Sequence, residues 1–482
     1  MKKRWRLNKM STLFIAPNKV KFSEKVKLAI NAVVISAVLS GCSASINEQE
    51  YQQQLNNFIE EAEIAPTLVG QDEINWWQQF NSDQLNQLVS DALAMNYDLK
   101  TSQLQLESAI ARLGGEKAQY FPQGGFEATS SNTSVDKTIT RQSSANLAMN
   151  WQLDLFGRIS ALVDAADASA MSQAEQLRRL KIEVVSSVVS GFVSYQGNKQ
   201  KQAIISQQIE ALQQSINVLT ARVEEGGASE LDLNRTRAQL SQQLSILPEI
   251  EYQLYRDVST LALLTGRLAN DITVESEQGL INNSLTVTLI EPSNAIALRP
   301  DISRALYDFS QAYSLSVAAS KALLPDISLA GFAGVLSLDN NLSNTQQQWQ
   351  VAPQIEWSLL SYPALLAQRD AQQLLSDAAY SNYKQVVLNA ISESELSLQL
   401  LVKESAQQDY AKERYFHANN AFLQAEAMYE EGQIPYLELL DARQDVLTAQ
   451  ENAVDSSISS LLAKIETYHA FNGRWSYALT SL

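Results

Sequence analysis

The chain has 482 residues, with 36 Lys+Arg against 53 Asp+Glu for a formal net charge of −17, and only 17 glycines and 10 prolines. So little Gly and Pro excludes collagen-like and Pro/Gly-rich disordered chains, while 45% hydrophobic residues can fill a sizeable core. One cysteine and two histidines exclude a disulfide scaffold and a CxxC-type zinc or redox site, and leave almost nothing for a metalloenzyme or a Ser-His-Asp hydrolase.

Residues 1–27 carry nine Lys/Arg against Glu24 alone, and an apolar run from Leu28 to Leu39 leads into Ser40-Gly41-Cys42. A basic start, a short apolar stretch and a small-residue cleavage site make a secretory signal over 1–41. The apolar stretch is too short for a membrane-spanning helix, which needs ~20 residues. Cys42 after Leu-Ser-Gly resembles the lipobox of bacterial lipoproteins, where the thiol is lipidated and becomes the mature N-terminus. A plain secretory signal with an incidental cysteine stays open, as does a start at Met10. Ser43, where an Asp would retain a lipoprotein inside, resembles outer-membrane sorting. Beyond residue 41 the chain holds 27 basic against 52 acidic residues, net −25. That charge argues against nucleic acid. It fits solvated helix surfaces or a cation-favouring lumen equally. No apolar stretch after the signal reaches ~18 residues, so a membrane crossing would have to be a closed β-barrel.

The rest is a duplication with an offset of 203 to 206 residues. Ala92–Leu99 answers to Ala295–Ile302, Pro122 to Pro325 and Trp151 to Trp357; Glu224-Glu225-Gly226 answers to Glu430-Glu431-Gly432. Each half predicts a strand hairpin. Leu147, Met149, Trp151, Leu153 and Leu155 alternate with small or polar residues, as do Trp349, Val351, Ile355, Trp357 and Leu359. Their partners are Gly124–Val135 and Asp326–Leu336. One apolar and one polar face suit a transmembrane barrel, although a soluble half-buried sheet has the same pattern. Four strands cannot close such a barrel, so several chains must share one.

Each half also predicts a long helix. Ser160–Glu225 is interrupted only by Gly191 and Gly197, and 364–431 has neither Gly nor Pro, a rod of ~100 Å at 1.5 Å per residue. The stripe Leu375, Ala379, Tyr383, Val387, Ile391, Leu398, Leu401 has coiled-coil spacing. Gly226-Gly227 and Gly432 end the rods. Ser229 is placed to cap the next helix, and Pro435 to occupy its first position. Gly114-Gly115 lacks a P-loop pattern and reads as a helix disruption. Trp76-Trp77 reads as packing, and His417 and His469 as solvated or tunnel-facing histidines. No catalytic residues and no metal site are expected.

Trp77 and Phe80 ahead of Leu85, the Ala-Leu-x-x-Asn run ending at Asn96, Trp151-x-Leu-Asp-Leu-Phe-Gly-Arg158, Leu298-Arg-Pro-Asp-Ile302 and Leu439-Leu-Asp-Ala-Arg443 resemble the outer membrane factor family. These are the TolC-like exit ducts of tripartite efflux pumps, OprM-type lipoproteins among them. The resemblance implies a mixed α and β fold: a long α-helical coiled-coil barrel in the periplasm joined to a transmembrane β-barrel, 12 strands from a homotrimer with four strands each. It divides the chain into the signal 1–41, an N-terminal equatorial segment 42–74, helices 75–122, hairpin 123–156, helical hairpin 157–267, connector 268–294, helix 295–325, hairpin 326–359, helical hairpin 360–471 and tail 472–482.

It further implies an outer-membrane exit duct conducting drugs or other small molecules passively. The partners would be a periplasmic adaptor, an inner-membrane pump of the resistance-nodulation-division type, and outer-membrane lipid reached through a covalent lipid on Cys42, with no other cofactor. Adaptor docking would fall on Arg222, Glu224, Glu225, Gly226, Glu430, Glu431 and Gly432, and the periplasmic gate on Leu437 and Asp441. Met428 stands where the second tip should repeat Arg222, Gln444 stands where the family has an arginine, and Leu359–Pro363 replaces a Gly-Arg turn. A type I protein-secretion duct and a non-conducting coiled-coil envelope lipoprotein are the alternatives.

Overall fold

The computed structural model describes residues 75–136, 138–277, 279–280, 285, 299–338 and 345–471. The signal, Cys42, segment 42–74, the later part of the connector and tail 472–482 lie outside them. After a 3-10 turn at Trp76–Phe80 come α1 (Asp83–Met95), α2 (Tyr97–Ala118), β1 (Gln123–Val135), β2 (Thr138–Leu153), α3 (Arg158–Glu224) and α4 (Glu230–Leu264). The second half follows with α5 (Pro300–Lys321), β3 (Asp326–Ser337), β4 (Thr345–Glu356), α6 (Tyr362–Glu430) and α7 (Tyr436–Ala470).

The duplication holds element by element. Both α2 and α5 have 22 residues, α4 and α7 both have 35, and α3 and α6 have 67 and 69. It holds in single bonds too. Trp151 Nε1 donates to the Tyr120 carbonyl at 2.9 Å, and Trp357 Nε1 to the Leu323 carbonyl at 3.2 Å. Asn96 Nδ2 donates to the Leu264 carbonyl at 2.9 Å, and Arg299 Nη1 to the Ala470 carbonyl at 2.5 Å. Each repeat thus ties the start of its short helix to the end of its own return helix. Asn96 also breaks α1 from α2: its backbone is extended and its side chain accepts from the N–H groups of Asp98 and Leu99, a cap that starts a new helix.

The rods α3 and α6 are each about 100 Å long. Along its first half α3 packs on α2 and α5, and along its second on α4 and α7; α6 packs on α5 and then α7. Gly191 lets Leu261 of α4 pack close against α3, because a Cβ there would meet Leu261 Cδ2 at 3.3 Å. The main core lies where these elements converge, around Phe192, Leu85, Ile205, Leu261, Leu461 and Ile465. Trp76, buried there, stacks on Tyr468 with ring centroids 4.8 Å apart.

The four strands form one antiparallel sheet in the order β1-β2-β3-β4. The two expected hairpins are therefore joined, β2 to β3, from Ser143↔Ser337 to Leu153↔Ile327.

Several expectations are corrected. Gly114 and Gly115 do not disrupt a helix: α2 runs through both, both are exposed, and packing against α3 outweighs their ~1 kcal/mol propensity cost each. The α6 seam departs from the expected stripe at its start and in its company. Tyr383, Val387 and Ile391 are buried and Ala379, Leu398 and Leu401 half-buried, but Leu375 is exposed, and Ser376, Ala390, Ser394 and Ser397 fill the remaining buried places. Pro435 caps α7 from outside and does not begin it. Strand β4 stops at Glu356, ahead of Trp357 and Leu359, because the chain turns into a 3-10 segment at Leu359–Ser361. At the first junction Gly157 turns left-handed at φ +78° instead, and Asp154 caps the N–H groups of Ile159 and Ser160. His469 is half-buried beside Glu393, and His417 is exposed as expected.

Candidate functional site

Two regions carry function-bearing geometry: the sheet and the paired helical tips. In the sheet, the register puts Phe126, Leu147, Ala333 and Trp349 in one row across the four strands. Two residues along, Gly124, Met149, Gly331 and Val351 form the next row on that face. Phe126 is 73%, Leu147 65% and Trp349 78% exposed in the single chain, and nothing covers them. The opposite face carries Glu127, Asn146, Gln348 and Gln350. Gln348 Nε2 there donates to Asn146 Oδ1 at 3.0 Å, and Thr129 and Ser144 hydroxyls share a 2.8 Å hydrogen bond. A bare apolar face of this size is costly in water and suits lipid. Among the described residues, the outer edges of β1 and β4 have no strand partner within the chain. Among the described residues, no helix is long and apolar enough to cross a membrane.

At the far end of the rods, each turn closes the same way. Gly226 and Gly432 take φ +78° and +69°, a left-handed conformation that glycine adopts without strain. Gly227 N–H returns to the Arg222 carbonyl at 2.7 Å and Gln433 N–H to the Met428 carbonyl at 2.8 Å, as a Schellman cap requires. Ser229 accepts from Asp232 N–H as expected. Glu224, Glu225, Glu430 and Glu431 are exposed, so both tips present carboxylates.

The tips are bonded to each other. Arg222 Nη1 donates to the Tyr429 hydroxyl at 2.9 Å, and Thr236 and Tyr436 hydroxyls are 3.1 Å apart. Gln239 Nε2 donates to Gln444 Oε1. Arg443 Nη1 donates to Ser215 Oγ at 2.7 Å, with its guanidinium carbon 5.4 Å from the Phe422 ring centre. Arg222, expected only as a docking contact, is thus already engaged, and Arg443 and Gln444 are turned into the hairpin interface. Leu437 and Asp441 sit one turn apart on the exposed side of α7, and among the described residues Asp441 has no hydrogen-bond or ion-pair partner. Sequence reasoning missed Tyr429, Tyr436, Thr236 and Gln239; the tyrosines flanking the second turn were the available signal.

Residues 88–267 and 292–469 each match the outer membrane efflux protein family, one match per repeat. The probable efflux pump outer membrane protein TtgC of Pseudomonas putida is 26% identical over 476 residues, covering 93% of this chain and 96% of that protein. The probable outer membrane lipoprotein SilC of Salmonella typhimurium is 25% identical over 468 residues, covering 93% and 99%. The solved outer-membrane channel OprN shares the fold, with a TM-score of 0.79 at 24% identity over 85% of this chain and 94% of that one.

Proposed function

This chain belongs to the outer membrane efflux protein family and is an outer-membrane efflux channel; from that premise we propose that it is the passive exit duct of a tripartite pump, carrying drugs or similar small molecules. Three copies share one 12-stranded barrel, with β4 of each copy pairing β1 of the next. The observation that carries this reading is the bare apolar sheet face bounded by two unpaired edges and continued by ~100 Å rods. In lipid an open edge leaves backbone groups unsatisfied, and strands from further copies supply the missing partners. A coiled-coil scaffold has no use for such a face.

Cys42 carries the lipid anchor. The rods form a tunnel through the periplasm, and its acidic tips dock a periplasmic adaptor that links the duct to an inner-membrane pump of the resistance-nodulation-division type. Leu437 and Asp441 ring the closed end. Three like charges on one axis repel, so the Asp441 ring holds shut by sharing counter-cations.

Single-channel conductance of the purified trimer in a planar bilayer tests the duct and its gate together. Small, cation-preferring steps in the wild type that grow in Asp441→Ala are expected. Silence from both, with the trimer confirmed, overturns the duct; equal steps from both remove Asp441 from the gate.

A further inference from the structure

Near the end of the second hairpin three ligand-bearing side chains converge. Glu466 and His469 are three residues apart on α7, which places them on one helix face, and Glu393 meets them from α6. A donor atom from each lies within 4.8 Å of the others. His469 Nδ1 is shut off from solvent with no hydrogen-bond partner, and the nearest carboxylate oxygen, Glu393 Oε1, is 3.8 Å away. Arg299 takes Glu393 Oε2 at 2.6 Å and shares its charge between Glu393 and Asp301, which it meets through two bonds of 3.0 and 2.9 Å. Glu393 Oε1, the Glu466 carboxylate and one imidazole nitrogen remain for an ion. Glu393 and His469 also line a cavity of about 460 Å³, which they share with Arg299, Asp301, Arg304 and Asp308.

The first repeat provides a control within the molecule. It builds the same junction with Ser187, Thr260 and Leu263 at the three equivalent positions. The duplicated fold therefore does not require the cluster.

We infer that Glu393, Glu466 and His469 bind one divalent transition-metal ion of the zinc class, which clamps α6 to α7. One imidazole with two carboxylates suits Zn²⁺ and its neighbours, whereas monovalent soft ions call for thiolate or thioether ligands. Ligand atoms at about 2.1 Å around a tetrahedral ion stand about 3.4 Å apart. Rotation of the exposed Glu466 side chain, with a shift of about 0.4 Å between Glu393 Oε1 and His469 Nδ1, supplies that closure, and water completes the coordination.

The full-length protein, stripped with chelator in detergent, is titrated with Zn²⁺ by calorimetry and with Co²⁺ by visible absorption. Saturable binding of one ion per chain, ligand-field bands of bound Co²⁺ and a raised thermal midpoint are expected. Glu466→Gln changes an exposed side chain, and His469→Leu installs the residue of the first repeat; each should weaken Zn²⁺ binding about tenfold or more. Absence of saturable binding to the wild type overturns the site, as does unchanged affinity in both variants once circular dichroism shows them folded. The readout is independent of conductance, so failure of the duct reading would leave it standing.

Discussion

The Arg222 guanidinium donates a 2.9 Å hydrogen bond to the Tyr429 hydroxyl across 207 residues of sequence, joining the tip of one helical hairpin to the tip of the other. With the Thr236–Tyr436 and Gln239–Gln444 pairs, which tie α4 to α7, it holds the second hairpin against the first at their tips. Moving the tip of the second hairpin outward breaks all three. Tyr429→Phe removes one donor–acceptor pair at an exposed site, worth about 0.5–1.5 kcal/mol. The open state should gain severalfold in population. Larger or more frequent conductance steps, and greater sensitivity of cells to bulky antibiotics, are the expected outcome. Wild-type conductance in Tyr429→Phe would show that the tie does not restrain opening.

Trp349 and Gln350 are neighbours in β4 on opposite faces of the sheet. An arginine facing lipid costs up to about 2–4 kcal/mol per chain, whereas a lumen-facing one meets water. Trp349→Arg should therefore cut the yield of trimer resistant to carbonate extraction. Gln350→Arg should assemble normally and shift the channel away from cations. Normal assembly of both variants would mean that the Trp349 face does not meet lipid.

Much of the architecture was legible because it is local. The period-two run through Leu147, Met149 and Trp151 marks a strand with two unlike faces, and the Gly- and Pro-free stretch after Pro363 marks a rod. Gly226 and Gly432 mark turns because their left-handed backbone excludes most side chains. What was not legible depends on partners distant in sequence. Arg222 gives no local sign that Tyr429 will hold it, and the β2–β3 pairing joins residues 174 to 194 positions apart. Gly114-Gly115 misled because propensity is a weak term beside packing on α3. The meeting of His469 with Glu393, 76 residues away, has no place in a helical pattern read along α7.

The Asn96 side chain does two jobs, capping α2 through the N–H groups of Asp98 and Leu99 and donating to the Leu264 carbonyl. Asn96→Ala should lose both, about 2–3 kcal/mol by the usual worth of a cap and a buried hydrogen bond. Asn96→Asp keeps the cap acceptor but loses the donor. Thermal unfolding midpoints in detergent should fall in the order wild type, Asp, Ala. An Asp variant no better than Ala would show that the cap contributes nothing, leaving the Leu264 bond as the sole determinant.

Asp257 is 6% exposed between α4 and α3. Burial raises its pKa, and neither the hydrogen bond from Asn198 nor the charge of Arg256 fully offsets this. A carboxyl raised in the folded state imposes no cost below its unfolded value, where both states are protonated. The cost is complete above its folded value, where both are ionised. Asp257→Asn should therefore raise the thermal midpoint at pH 7.5, by about 1–3 °C for a side-chain effect of this kind in a large chain. Its amide oxygen can still accept the 2.7 Å bond from Asn198 Nδ2. As pH falls through the folded value towards about 4, the wild type sheds its penalty and the two midpoints should converge. A gap of constant size from pH 7.5 to 4 would show that the gain comes from packing, and a variant less stable at pH 7.5 would show that the buried charge is better compensated than its neighbours Asn198 and Arg256 suggest.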